Sequence, residues 1–129
     1  MILDTTFVID LIKGRLDAVS KLKEIENSFI QYAITSPTVF ELWSGLISLE
    51  KSEKEKQKII SLVNEQIIYF LDDKSAEEAG KIDGTLVKKG LEIDAEDCMI
   101  AGIAIKNNQK LVTRDNHFSR IEGLKIESY

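Results

Sequence analysis

Scarcity is the first feature of this chain: 129 residues hold one cysteine, one histidine and one proline. A lone Cys98 cannot close an internal disulfide, so nothing points to an oxidising compartment. A lone His117 leaves no material for a His/Cys zinc site. No apolar run approaches the roughly 18–20 residues of a membrane span. The opening residues 1–10 are apolar but lack a basic leader and are broken by Asp4 and Asp10, so they do not read as a signal peptide. A cytoplasmic protein without a membrane segment is the expectation. Bases are also short: 17 Lys and Arg face 22 Asp and Glu, a formal net charge of −5. That balance argues against coating nucleic acid or an anionic membrane by bulk charge. An enzyme that meets RNA or DNA at one local site stays open.

What is present is an ordinary apolar fraction of 43% with 30% charged residues, enough for one domain over 1–129 with a proper core. Apolar periodicity alternates between short strands and helices. Ile2-Leu3 opens as a buried strand, with helices over about 5–13 and 16–26. Phe29 to Thr35 is strand-like, and Ser36-Pro37 then supplies a cap and first-turn proline for a helix. A further helix runs to about Asn64, and Ile67 to Leu71 reads as a buried strand. Ser75-Ala76-Glu77-Glu78 reads as a capping box for a helix that stops at Gly90. Asp94 caps the next helix, closed at Asn107-Asn108, and Leu111 to Thr113 and Leu124 to Ile126 are the last strands. Alternation of this kind implies an α/β fold with a short, mostly parallel sheet.

The acids gain meaning from their place relative to the strands. Asp4 directly follows the first strand, and Asp115 lies two residues past Leu111-Val112-Thr113. Both then fall at the carboxyl edge of a parallel sheet, where such folds bind ligands. Helices that follow strands begin at that edge, which brings in Glu41 and Asp97. Each acid also has a plainer role: Asp4 as a helix cap, Asp115 as a turn residue, Asp97 as a dipole partner. Glu41 fits such a role least, because Val39, Phe40, Leu42, Trp43, Leu46 and Ile47 surround it. Crowded carboxylates take up protons unless a cation neutralises them. Hard oxygen donors suit Mg²⁺ or Mn²⁺, and such ions support phosphodiester hydrolysis.

At these residues the chain resembles PIN-domain ribonucleases, in particular VapC toxins of type II toxin–antitoxin modules. The carriers are Leu3-Asp4-Thr5-Thr6, Thr38 to Gly45 around Glu41, Asp97 to Ala104, and Leu111 to Phe118. The resemblance implies a PIN-like three-layer α/β/α fold and a metal-dependent endoribonuclease acting on RNA. It further implies Asp4, Glu41, Asp97 and Asp115 as ligands, Thr113 as a supporting hydroxyl and Asp94 as an additional acid. A homodimer and a VapB-like antitoxin are its implied partners. Thr6 stands where serine is commoner, and His117 stands before Phe118 where many relatives carry an acid, leaving Asp115 to supply the fourth carboxylate.

Two other function classes fit parts of the sequence. One is a catalytically silent dimeric module acting through its antitoxin complex. The other is a phosphohydrolase with Asp4 as nucleophile, which lacks the second aspartate two residues on. Asp72-Asp73 reads as a lead into the Ser75 cap, Cys98 and Trp43 as packing residues, and His117 as a solvated loop residue. The run from Glu50 to Lys58 reads as a solvated helix face with Glu50–Lys54, Glu53–Lys56 and Glu55–Lys58 pairs. Setting aside the four candidate ligands leaves 18 acids against 17 bases, so the acidic excess is concentrated in the candidate site.

Overall fold

A computed structural model describes all of residues 1–129. Its strands are β1 (Ile2–Leu3), β2 (Ala33–Thr35), β3 (Ile67–Tyr69), β4 (Leu111–Val112) and β5 (Ile126–Glu127). Its helices are α1 (Thr5–Ile12), α2 (Leu16–Asn27), α3 (Ser36–Ser48), α4 (Glu53–Glu65), α5 (Asp73–Lys89) and α6 (Ala95–Lys106), with a 3₁₀ turn at Asn116–Arg120. The strands form one sheet in the order β3-β2-β1-β4-β5, and every pairing is parallel. Order reverses between β1 and β4, so a crevice opens beyond their carboxyl ends.

Side chains alternate across strands, and this divides the core in two. Leu3, Ile34 and Val112 join Phe7, Val8, Ala18, Ile25, Leu42, Leu46 and Ile59 on the α1–α4 side. Ile2 and Leu111 join Leu86, Ile100, Ala101, Ile103, Ala104, Phe118 and Ile121 on the α5–α6 side. The result is the expected three-layer α/β/α arrangement. α5 and α6 pack most extensively of all element pairs. At their crossing, a Cβ on Gly102 would lie 2.6 Å from the Ser75 carbonyl oxygen and 2.7 Å from the Ala79 nitrogen. Only glycine permits that approach.

Several local expectations shift by a residue or more. The N-cap of α3 is Thr35, whose hydroxyl accepts the Thr38 N–H at 3.2 Å; Ser36 is already helical and its hydroxyl accepts the Leu71 N–H at 3.1 Å. The box opening α5 pairs Asp72 with Ser75 rather than Ser75 with Glu78. Phe29 is 97% exposed with φ +55°, so that strand begins only at Ala33. β3 is an edge strand, with Ile67 47% exposed and Phe70, just past its end, 72% exposed, not a buried one. β5 comprises Ile126 and Glu127, later than expected. The Glu50–Lys58 run is not one helix face: Glu50 adopts φ +47°, and Ser52 caps α4. Of the expected pairs only Lys56–Glu53 forms, at 3.2 Å, joined by Lys51–Glu55 at 3.7 Å. The left-handed stop at Gly90, φ +67°, is as the sequence indicates.

Candidate metal centre

β1 is central and two residues long, so the chain turns directly from it into α1 at Asp4. Asp4 occupies the N-cap position but makes no side-chain cap bond. Its carboxylate is buried and accepts the Thr113 hydroxyl at 2.8 Å across the β1–β4 switch point. The same Thr113 oxygen accepts the Asp115 N–H at 3.0 Å. One hydroxyl thus sets two acids. Burial raises the Asp4 carboxyl above its ordinary range, and the Thr113 hydrogen bond opposes the rise.

Glu41 lies in the second turn of α3, half-buried. Its Oε1 accepts the Thr5 hydroxyl at 2.7 Å; that hydroxyl also stands 3.1 Å from Thr38 Oγ1, which is 3.0 Å from Thr35 Oγ1. A threonine cluster from α1, β2 and α3 therefore orients it. Burial raises its pKa; the Thr5 bond counteracts, and the charges of Asp4, Glu96 and Asp94 add to the rise. The helix around Glu41 is less enclosed than its apolar sequence implies. Phe40 (59%), Trp43 (45%) and Ile47 (67%) are exposed, so Trp43 is not a core residue.

Asp97 sits in the first turn of α6, whose N-cap, Asp94, makes no side-chain cap bond. Burial, then the charges of Asp4, Asp115, Glu41 and Asp94, push the Asp97 carboxyl up to about 7. All four neighbours act in one direction, so Asp4, Asp115, Glu41 and Asp94 lie within electrostatic reach of Asp97. Asp115 caps the 3₁₀ turn through the His117 N–H at 2.8 Å, and His117 Nδ1 lies 3.3 Å from its Oδ1. Donor atoms of Asp97, Asp115 and His117 all fall within 4.8 Å of one another. His117 is thus beside the candidate acids while remaining the solvent-exposed residue expected from the sequence. Glu96 and His117 are the neighbours that sequence reasoning did not place here. Their signal was proximity in the chain to Asp97 and Asp115.

No lysine or arginine pairs with Asp4, Glu41, Asp94, Glu96, Asp97 or Asp115; the one basic group beside these acids is His117, next to Asp115. Buried carboxylates without an internal counter-ion are unfavourable as anions. A hard dication resolves that repulsion, and carboxylate oxygen donors fit Mg²⁺ or Mn²⁺. Cys98, buried on the following residue, has a thiol pushed up to about 11 by burial and nearby acids. It is no nucleophile.

Comparison with known proteins supplies independent context. A family model described as PIN domain matches residues 1–124. Ribonuclease VapC1 of Methanocaldococcus jannaschii is 31% identical, over 98% of this chain and 85% of its own length. A protein of Salmonella typhimurium named tRNA(fMet)-specific endonuclease VapC is 27% identical, over 98% and 96%. Among solved structures, VapBC2 from Rickettsia felis, bound to a DNA fragment from its promoter, superposes with TM-score 0.88. There the identity is 28%, over 99% of this chain and 97% of that one.

Proposed function

The chain belongs to the PIN-domain family, and from that premise we propose that it is a Mg²⁺- or Mn²⁺-dependent endoribonuclease, the toxin of a type II toxin–antitoxin pair. Residues 1–129 form one catalytic unit in this reading. The observation that carries it is the electrostatic crowding of half-buried Asp97 by Asp4, Asp115 and Glu41, none of which is paired with a lysine or arginine. The VapC relatives named as ribonucleases support the RNA substrate.

Asp4, Glu41, Asp97 and Asp115 would hold the cation. When bound, a dication there supplies Lewis acidity and a water acidic enough to attack a phosphodiester at neutral pH. The protein's own work is positioning. Thr113 fixes the Asp4 carboxylate, and Thr5 fixes Glu41. Asp94 and Glu96 add negative potential that favours a dication over a monovalent ion. No side chain serves as a covalent nucleophile in this mechanism.

The exposed Phe40, Trp43 and Ile47 stripe on α3 supports a protein interface close to Glu41. A second copy of the chain and a VapB-like antitoxin are the partners in this reading, and the similarity to VapBC2 from Rickettsia felis supports the latter. No helix is long and apolar enough to cross a membrane, and an RNA substrate agrees with action in the cytoplasm.

The test incubates purified protein with structured RNAs in Mg²⁺ or Mn²⁺, with EDTA and Asp97→Asn as controls. Cleavage that stops in both supports the mechanism; cleavage that survives both sinks it. No cleavage and no Mn²⁺ binding, with an antitoxin complex that still binds DNA, would establish the silent module instead.

A further inference from the structure

Asp10 is a second buried carboxylate, and it takes no part in the site just described. It stands two turns along α1 from Asp4, with its side chain 3% exposed. Three groups converge on it. Arg114 donates from Nε to Oδ2 at 2.6 Å and from Nη2 to Oδ1 at 3.2 Å, and the Tyr129 hydroxyl donates to Oδ2 at 2.9 Å. Arg15 Nε lies 3.7 Å away. The Tyr129 ring meets Phe7 edge-on, with centroids 4.5 Å apart, so this donor is held against α1.

What matters is where Arg114 sits. It is the middle residue of Thr113-Arg114-Asp115, which leaves β4 without regular structure before the 3₁₀ turn. Alternate residues of an extended segment point to opposite sides. Thr113 reaches Asp4, Asp115 reaches towards Asp97, and Arg114 points away to Asp10. The two-point guanidinium–carboxylate bond fixes rotation about the segment as well as its position. It also occupies the one arginine adjacent to the acidic site.

We propose that Asp10 is a positioning residue for the metal centre: by clamping Arg114 on the far face of residues 113–115, it holds Thr113 and Asp115 facing Asp4 and Asp97 and keeps the guanidinium out of the acidic cluster. The inference rests on the metal-dependent reading above. Partners that orient ligands from behind commonly change metal affinity about 10–100-fold when removed.

The experiment measures Mn²⁺ binding by isothermal titration, with thermal unfolding in EDTA recorded alongside, for wild type, Asp10→Asn, Arg114→Met and the double variant. Ile25→Val serves as a fold-destabilising control, because Ile25 is buried in α2 away from the site. The expected result is Mn²⁺ binding about tenfold weaker in Asp10→Asn. The double variant, which carries no loose guanidinium, binds no more weakly than Asp10→Asn, and Ile25→Val keeps wild-type affinity despite a lower Tm. Wild-type affinity in Asp10→Asn overturns the proposal, as does affinity that merely follows Tm across all variants. Absence of Mn²⁺ binding in wild type would instead overturn the metal-dependent reading itself, so the two failures are distinct.

Discussion

Replacing a candidate ligand ordinarily costs stability; Asp97→Asn should do the opposite when no cation is present. In the folded chain the Asp97 carboxyl rises from an ordinary 3.8 to about 7 through burial and four neighbouring acids. The folded state therefore binds this proton more tightly than the unfolded chain does. Stability contributed by the neutral form is fully present below about pH 4 and declines as pH rises towards 7. At about 1.4 kcal/mol per pH unit, the ceiling at pH 8 is about 4 kcal/mol. Asp97 is only half-buried, and solvent screening reduces the figure to about 2 kcal/mol. Loss of the favourable first-turn charge on α6 returns about 0.5 kcal/mol. A net gain of about 1.5 kcal/mol remains for the asparagine variant. With an unfolding entropy of ~2.1 cal/mol/K per residue, that is about 5 °C in Tm for a chain of this length. Differential scanning fluorimetry in EDTA at pH 8 and pH 5 reads it directly, the difference being smaller at pH 5 and vanishing only below about pH 4. Saturating Mn²⁺ reverses the order, since 100-fold excess over Kd adds ~2.7 kcal/mol to the wild type alone. A variant less stable than wild type in EDTA at pH 8, or a gain equal at both pH values, would refute the electrostatic reasoning.

Two further outcomes follow from contacts described above. Thr113→Val keeps the side-chain shape but removes the hydroxyl shared by Asp4 and the Asp115 N–H; Mn²⁺ affinity measured by titration should fall about tenfold, while unchanged affinity would mean that Asp4 is set by other groups. Gly102→Ala forces a Cβ against backbone atoms of α5, and chemical denaturation should show a loss of about 1–3 kcal/mol, with a neutral result excluding the tight α5–α6 approach.

Much of the fold was legible because apolar runs, caps and glycine stops are local signals, as the end of α5 at Gly90 illustrates. Strand limits were not. Strands of two or three residues are bounded by what pairs beside them, and β3 is exposed only because it lies at the sheet edge. Capping slipped from Ser36 to Thr35 because a cap is chosen by backbone dihedrals, which neighbouring hydroxyls do not reveal. Asp97 opens a helix that follows α5, whereas Asp4, Glu41 and Asp115 were recognisable from their position after strands. Asp10 was not, although Phe7, Val8, Leu11 and Ile12 surround it much as apolar residues surround Glu41. Its importance lies in Arg114 and Tyr129, more than a hundred positions away.

The divided core gives the candidate centre one more property. Glu41 is carried by a helix seated in the α1–α4 layer, through Leu42 and Leu46, whereas Asp97 is carried by one seated in the α5–α6 layer, through Ile100 and Ala101. The acids thus meet along a seam, and without a cation their repulsion pries at it. A bound dication would act as a rivet through both halves. Amide exchange should then slow upon Mn²⁺ addition not only at the ligands but in the first turns of α3 and α6 together.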